Sequence, residues 1–163
     1  MEPILIQVSH VSPADMKFVM VLAGLGMCIG NLAAGKLADK CHPVLVSGAA
    51  ALTMVPTLAL IYFCGSDTGL AIGLTFIGAA TLFALGGPMQ YLIVRFSRGG
   101  EILGGAGIQI AFNVSNAVAA FIGGAAINAG WGIASPALLG IPLSLASVGC
   151  LVIFYWRYGK LAL

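Results

Sequence analysis

Charge is what this chain has least of: Asp, Glu, Lys and Arg together make up 7% of its 163 residues. A water-soluble domain carries about 25% charged residues, so the groups needed to coat a surface facing water are missing. Hydrophobic residues supply 60% and the mean hydropathy is +1.07, the composition of an integral membrane protein. The net charge of +2 is too small and too dispersed for a nucleic-acid surface. Paired cysteines are absent as well. Cys28, Cys41, Cys64 and Cys150 show no CxxC spacing and no Cys/His cluster, so small apolar filler accounts for them better than disulfides or metal.

Catalytic constellations are also lacking. His10 and His42 both lie outside the apolar stretches, which removes a membrane-buried Ser-His pair. The segment Gly99-Gly100-Glu101-Ile102-Leu103-Gly104-Gly105 has no Lys-Ser/Thr of a phosphate loop. No enzyme activity, metal or cofactor is implied. No lysine or arginine precedes Lys17, and Pro3 and Pro13 interrupt the leader, so a signal peptide is not expected.

What is present is apolar sequence in long runs. Five stretches stand out, at residues 16–37, 44–64, 70–94, 102–127 and 136–156, each long enough to cross a bilayer as a helix. Polar punctuation separates them: Lys36 to Pro43, the turn-like Gly65-Ser66-Asp67-Thr68-Gly69, and Arg95 to Glu101. Segments of about ten residues with period-two alternation are missing, which excludes a β-barrel. The expected fold is all-α, a single polytopic membrane domain over residues 1–163.

Loop charges give an orientation. Lys36, Lys40, Arg95, Arg98, Arg157 and Lys160 fall on one side and Lys17 alone on the other, which places the C-terminus inside and the N-terminus outside. Tyr62, Trp131, Tyr155 and Trp156 lie near span ends, where amphipathic rings sit at headgroup level. Residues 1–11 then form an external leader that reads like the exit of a preceding helix, and the expectation is that an upstream portion is missing.

No charged residue sits mid-span, so the polar chemistry within the membrane is that of amides. Gln109, Asn113 and Asn116, spaced by four and three, share one face of the fourth stretch. An unpaired amide in hydrocarbon is costly, so that face should meet protein or a water-filled cavity. For Gln109 and Asn113 it fits a cavity wall that hydrogen-bonds a polar solute and equally interhelical hydrogen bonds worth about 0.6 kcal/mol each, which are the better account of Asn116. Beside it Gly107, Ala111, Ser115, Ala119 and Gly123 recur every four residues, a ridge of small side chains suited to gripping a neighbouring helix. In the first stretch Gly24, Cys28, Asn31 and Gly35 share a face, and Gly26 and Gly30 form a GxxxG pair on another. Gly86-Gly87-Pro88, followed by Gln90, predicts a kink in the third.

Gly35-Lys36-Leu37-Ala38-Asp39-Lys40 resembles the G-x-L-a-D-(R/K) loop of the major facilitator superfamily, between helices eight and nine. The full motif continues with Gly-Arg-Arg/Lys, whereas His42, Pro43 and Val44 follow here. Residues 107–117, then Gly123-Gly124-Ala125-Ala126-Ile127, Gly130-Trp131-Gly132 and Pro136, look like helix eleven and its exit in the bacterial branch of arabinose, sugar and drug exporters of the drug:proton antiporter type. The stretch from Pro3 to Asp15 resembles the external connection between helices seven and eight.

The resemblance implies helices eight to twelve of a twelve-span, inner-membrane exporter. Such a protein moves sugars, nucleosides or drug-like molecules against protons by alternating access. Gln109, Asn113, Asn116 and Asn31 become candidate cavity residues, and Gly35, Asp39 and Lys40 the cytoplasmic latch. The implied partners are the bilayer, a small-molecule substrate and the missing N-terminal half, without which transport is not expected. A reading from another class is a small membrane protein that associates through its glycine-rich faces. Seven further hydrophobic segments encoded upstream would distinguish the first from the second.

Overall fold

The computed structural model describes residues 5, 6, 8, 12 and 15–159, and these contain helices and turns but no strand. His10, Lys160 and most of the leader lie outside the described residues. Six helices follow one another: α1 Met16–Ala38, α2 Pro43–Cys64, α3 Thr68–Ala84, α4 Gly86–Phe96, α5 Glu101–Asn128 and α6 Ser135–Tyr158. With α3 and α4 running on as one, five spans are long and apolar enough to cross a membrane.

The third apolar stretch differs from a simple span. It is two helices broken at Leu85, just ahead of the Gly86-Gly87-Pro88 run. Pro88 has no N–H to offer the Ala84 carbonyl, and its ring crowds that same carbonyl, so the helix stops and restarts. The chain crosses the break on a Met89 N–H to Leu85 carbonyl bond of 3.2 Å. Elsewhere the caps follow local chemistry. Asp67 opens α3 by accepting the Leu70 N–H at 2.9 Å, and Gly130 and Gly132 take φ of 83° and 89° around Trp131 to turn the chain between α5 and α6.

Packing is organised around α2 and around a contact of α1 with α3. Val44 and Ala51 of α2 meet Leu92 of α4 and Leu151 of α6, and Ile61 meets Leu74 of α3 and Ala137 of α6. Two buried hydroxyls are satisfied within their own helices, Thr57 donating to the Thr53 carbonyl and Thr75 to the Ala71 carbonyl, both at 2.8 Å, whereas the fully buried Ser47 Oγ of α2 has no hydrogen-bond partner among the described residues. The GxxxG pair of α1 is the close contact of the bundle. A Cβ at Gly26 would lie 2.8 Å from the Phe76 carbonyl oxygen, and one at Gly30 would overlap the backbone of Ala80. Only glycine lets the two backbones come this near, and without a hydrophobic drive in lipid that nearness is the source of the packing energy.

His42 fastens the ends. It caps α2 through Nδ1, which accepts the Val44 N–H at 3.3 Å, while Nε2 donates to the Gly159 carbonyl at 2.8 Å. A carbonyl only accepts, so the ring is the Nε2–H tautomer. The imidazole also stands edge-on to Tyr155, centroids 5.0 Å apart. The α1–α2 turn and the end of α6 are thereby joined, and Phe96 packs on Phe154 and Tyr158 to bring the end of α4 to the same level. Lys36, Lys40, Arg95, Arg98 and Arg157 consequently gather at one end of the bundle, with Lys17 at the other.

The glycine contact yields a test in detergent micelles. Gly30→Ala is expected to lose about 2 kcal/mol through overpacking. Gly24→Ala, whose new methyl meets nothing within 4 Å, should stay within about 0.5 kcal/mol of the parent. Equal thermal unfolding of the two variants would remove the contact from its structural role.

Candidate functional site

Side chains from separate helices converge on a cavity of about 430 Å³. Asn31 comes from α1, Gly86, Gly87 and Gln90 from α4, and Gln109, Asn113 and Asn116 from α5. Phe112 of α5 with Leu82 and Phe83 of α3 complete the wall.

The break at Leu85 shapes one side. Where the helix restarts, two glycines leave room for α1, so that a Cβ at Gly87 would stand 3.6 Å from Asn31 Oδ1 and 3.7 Å from Gly35 Cα. Asn31 thus lies over the opening of α4, next in sequence to the tight Gly30 contact that fixes it. Across the cavity, Gln90 leans on α5, its Nε2 3.0 Å from where a Cβ of Gly105 would be.

The electrostatics are simple, because no lining residue is ionisable. What the wall presents is unspent carboxamide. Asn113 donates through Nδ2 to the Gln109 carbonyl at 3.0 Å, leaving its oxygen and second N–H. Asn31, Gln90, Gln109 and Asn116 make no side-chain hydrogen bond with protein among the described residues. Interhelical bonding by these amides, one of the two uses their spacing allowed, is therefore not realised among the described residues. Each carboxamide pairs two N–H donors with an oxygen acceptor, and the phenyl rings of Phe83 and Phe112 add apolar faces. Such a wall can hold an uncharged solute that offers both donors and acceptors.

The remaining sequence candidates are placed differently. Gly35 packs at the α4 restart, and Asp39 closes α1, its N–H bonded to the Gly35 carbonyl at 3.1 Å. The carboxylate of Asp39 is exposed and has no partner among the described residues, and Lys40 is exposed beside it. The small-residue ridge is only partly packed within the described residues. Gly107, Ala111, Ser115 and Ala119 are exposed, and of the five only Gly123 is buried, 3.3 Å from Pro136 on α6 by its would-be Cβ. Steps of four residues turn the ridge by about 40° each, so it meets α6 at one end only. The contact of α5 with α4 falls instead on Gly104, Gly105 and Ile108. Gln90 was not among the sequence candidates for the cavity, although a glutamine inside an apolar span is itself a signal.

A bundle of apolar spanning helices with an open, carboxamide-lined cavity on one side defines a polytopic membrane protein with the build of a transporter segment. Relatives agree. AraJ of Escherichia coli K12, a protein named as a transporter, is 36% identical over 159 residues, covering 98% of this chain and 40% of AraJ. YdhP of the same organism, an inner membrane transport protein, is 34% identical over 93% of the chain and 38% of its own length. The MFS-type transporter YfhI of Bacillus subtilis 168 is 29% identical over 78% of the chain and 32% of its own length. The chain belongs to the major facilitator superfamily (MFS), and it spans about two-fifths of the length of AraJ. No family model matches it, and no solved structure does.

Solvation of the amide wall can be measured. With Cys28, Cys41, Cys64 and Cys150 replaced by serine, Asn113→Cys in membranes should react with a water-soluble thiol reagent roughly tenfold faster than Val118→Cys, about 140° away around α5, because the reacting thiolate needs water. Equal rates would mean that the amide face looks into lipid.

Proposed function

We propose that this chain supplies the C-terminal wall of a secondary active exporter in a bacterial inner membrane. The exporter moves sugars, nucleosides or drug-like molecules against protons by alternating access. The observation that carries this reading is the group of unspent carboxamides from α1, α4 and α5 around one cavity. A polar solute entering it trades hydrogen bonds to water for bonds to Asn31, Gln90, Gln109, Asn113 and Asn116, and the phenyl rings hold its apolar side. In transporters built from two helical halves, such a site lies near the midplane between them. The five spans correspond to helices eight to twelve of that plan, and the remainder of the cavity wall belongs to the N-terminal half.

Orientation and coupling follow on the same reading. The cationic end faces the cytoplasm by the excess of Lys and Arg in its loops. Asp39 and Lys40 then lie on the cytoplasmic surface, where their exposed charges are free to latch onto the other half. No carboxylate lines the cavity, so the proton-coupling acid is contributed by the other half.

Everted membrane vesicles test the reading. The chain alone should give no pH-gradient-driven uptake above leak, and co-expression with the N-terminal portion of AraJ should restore it for at least one of the three solute classes. Gln109→Leu or Asn113→Leu should then lower that uptake about tenfold each, the worth of a hydrogen bond to the solute. Robust transport by the isolated chain, or full activity of both leucine variants, would reject the proposal.

A further inference from the structure

A second cavity, of about 330 Å³, opens between α1, α2 and α3, toward the end of the bundle that carries Met16. Its wall includes Met16, Met20 and Met27 of α1, Met54 and Leu58 of α2, and Leu82 of α3. Leu82 also lines the amide cavity, so one side chain is common to both. We propose that the two cavities form one site for an amphipathic solute. Its hydrogen-bonding head lies against the carboxamides, and its alkyl or aryl limb passes Leu82 into the methionine-lined cavity.

The helices set the two cavities end to end. On α1 the lining positions 16, 20, 23 and 27 follow steps of four, three and four, a single helical stripe, and Asn31 continues it one turn beyond Met27. On the facing wall Gly78 and Leu82 belong to the apolar cavity, and Leu82 and Gly86 to the amide cavity. A turn of helix rises about 5.4 Å, so a limb carried by a head at Asn31 reaches Met27 within a few carbon–carbon bonds.

The chemistry changes sharply between them. Among the described residues of the apolar lining, Thr75 alone carries a side-chain oxygen, and its hydroxyl is spent on the Ala71 carbonyl at 2.8 Å. Nothing there repays a polar group for the loss of water, whereas a hydrocarbon limb gains contact with walls that otherwise face a void. Methionine suits limbs of different shape, because its unbranched, polarisable chain repacks readily, and four of the chain's six methionines stand here. A free sugar has polar groups on every side and leaves this cavity empty. The assignment rests on the amide cavity being a solute site, and it narrows the solutes to those with an apolar limb.

Equilibrium dialysis against nanodiscs holding the full chain, corrected with empty nanodiscs for partition into lipid, tests this with naphthyl β-glucoside, methyl β-glucoside and naphthalene. Naphthyl glucoside should bind about tenfold more tightly than either of the others. Ala23→Phe places a ring in the apolar cavity. It should bring naphthyl glucoside down to the affinity of methyl glucoside and leave methyl glucoside unchanged, which also reports that the variant has folded. If Ala23→Phe loses both ligands, the comparison on the parent chain decides. Equal binding of the two glucosides by the parent chain, as when a lipid chain already fills the apolar cavity, would overturn the joint site and leave the amide cavity standing. Naphthalene binding as tightly as naphthyl glucoside would separate the two cavities and overturn it too. Binding of neither glucoside would remove the amide cavity as a solute site, and this proposal with it.

Discussion

The arrangement rests on one close approach, the backbone of α1 against the backbone of α3 at Gly26 and Gly30. In lipid an apolar side chain gains nothing by leaving a neighbour of equal polarity, so helices associate where surfaces fit most closely. The glycine pair brings the two axes near enough for carbonyl oxygens of α3 to touch the α1 backbone. At the next residue the same register puts Asn31 over Gly86 and Gly87, and about a turn beyond it Gly35 lies beside Gly87. Loss of the first contact therefore moves the second. The amide of Asn31 has its position through Gly30, not through any bond of its own.

The cavity exists because two features weaken the bundle at the same level. Pro88 interrupts α3–α4 at Leu85, and glycines follow where larger side chains would have filled the space. Polar groups next to such a defect are costly in hydrocarbon, and here five carboxamides surround it. At about 430 Å³ the cavity is roomy enough for water, which relieves that cost. Among the described residues, the side-chain bond formed by these groups runs from Asn113 to its own helix.

How much of this was readable beforehand depends on range. The spans were legible because composition over about 20 residues decides them, and the helix ends fall within a few residues of the apolar stretches. The amide face of α5 was legible because spacings of three and four are local geometry. The kink was legible from Pro88, yet its consequence was not. That Gln90 and Asn31 face the same cavity depends on how α4 and α1 cross, which neither segment encodes alone. The use of the ridge from Gly107 to Gly123 was not legible for the same reason: periodicity describes a face, and only the neighbours decide whether it is used. The GxxxG pair of α1, common enough in membrane helices to say little by itself, turned out to be the contact that sets the fold.

These contacts leave α5 in an unusual mechanical position. It touches α4 near Gly104, Gly105 and Ile108 and α6 near Gly123 and Ala126, and between Ile108 and Gly123 none of its residues is buried. The helix is held at its ends and open along its middle, where Gln109, Asn113 and Asn116 lie. Segments with few buried contacts have the smallest free-energy cost of displacement. By contrast, α2 and α6 share buried contacts at two levels and are tied again at His42 and Gly159. Among the described residues, buried contacts are thus concentrated on the side away from the amides, and the amide-bearing face of α5 has the fewest.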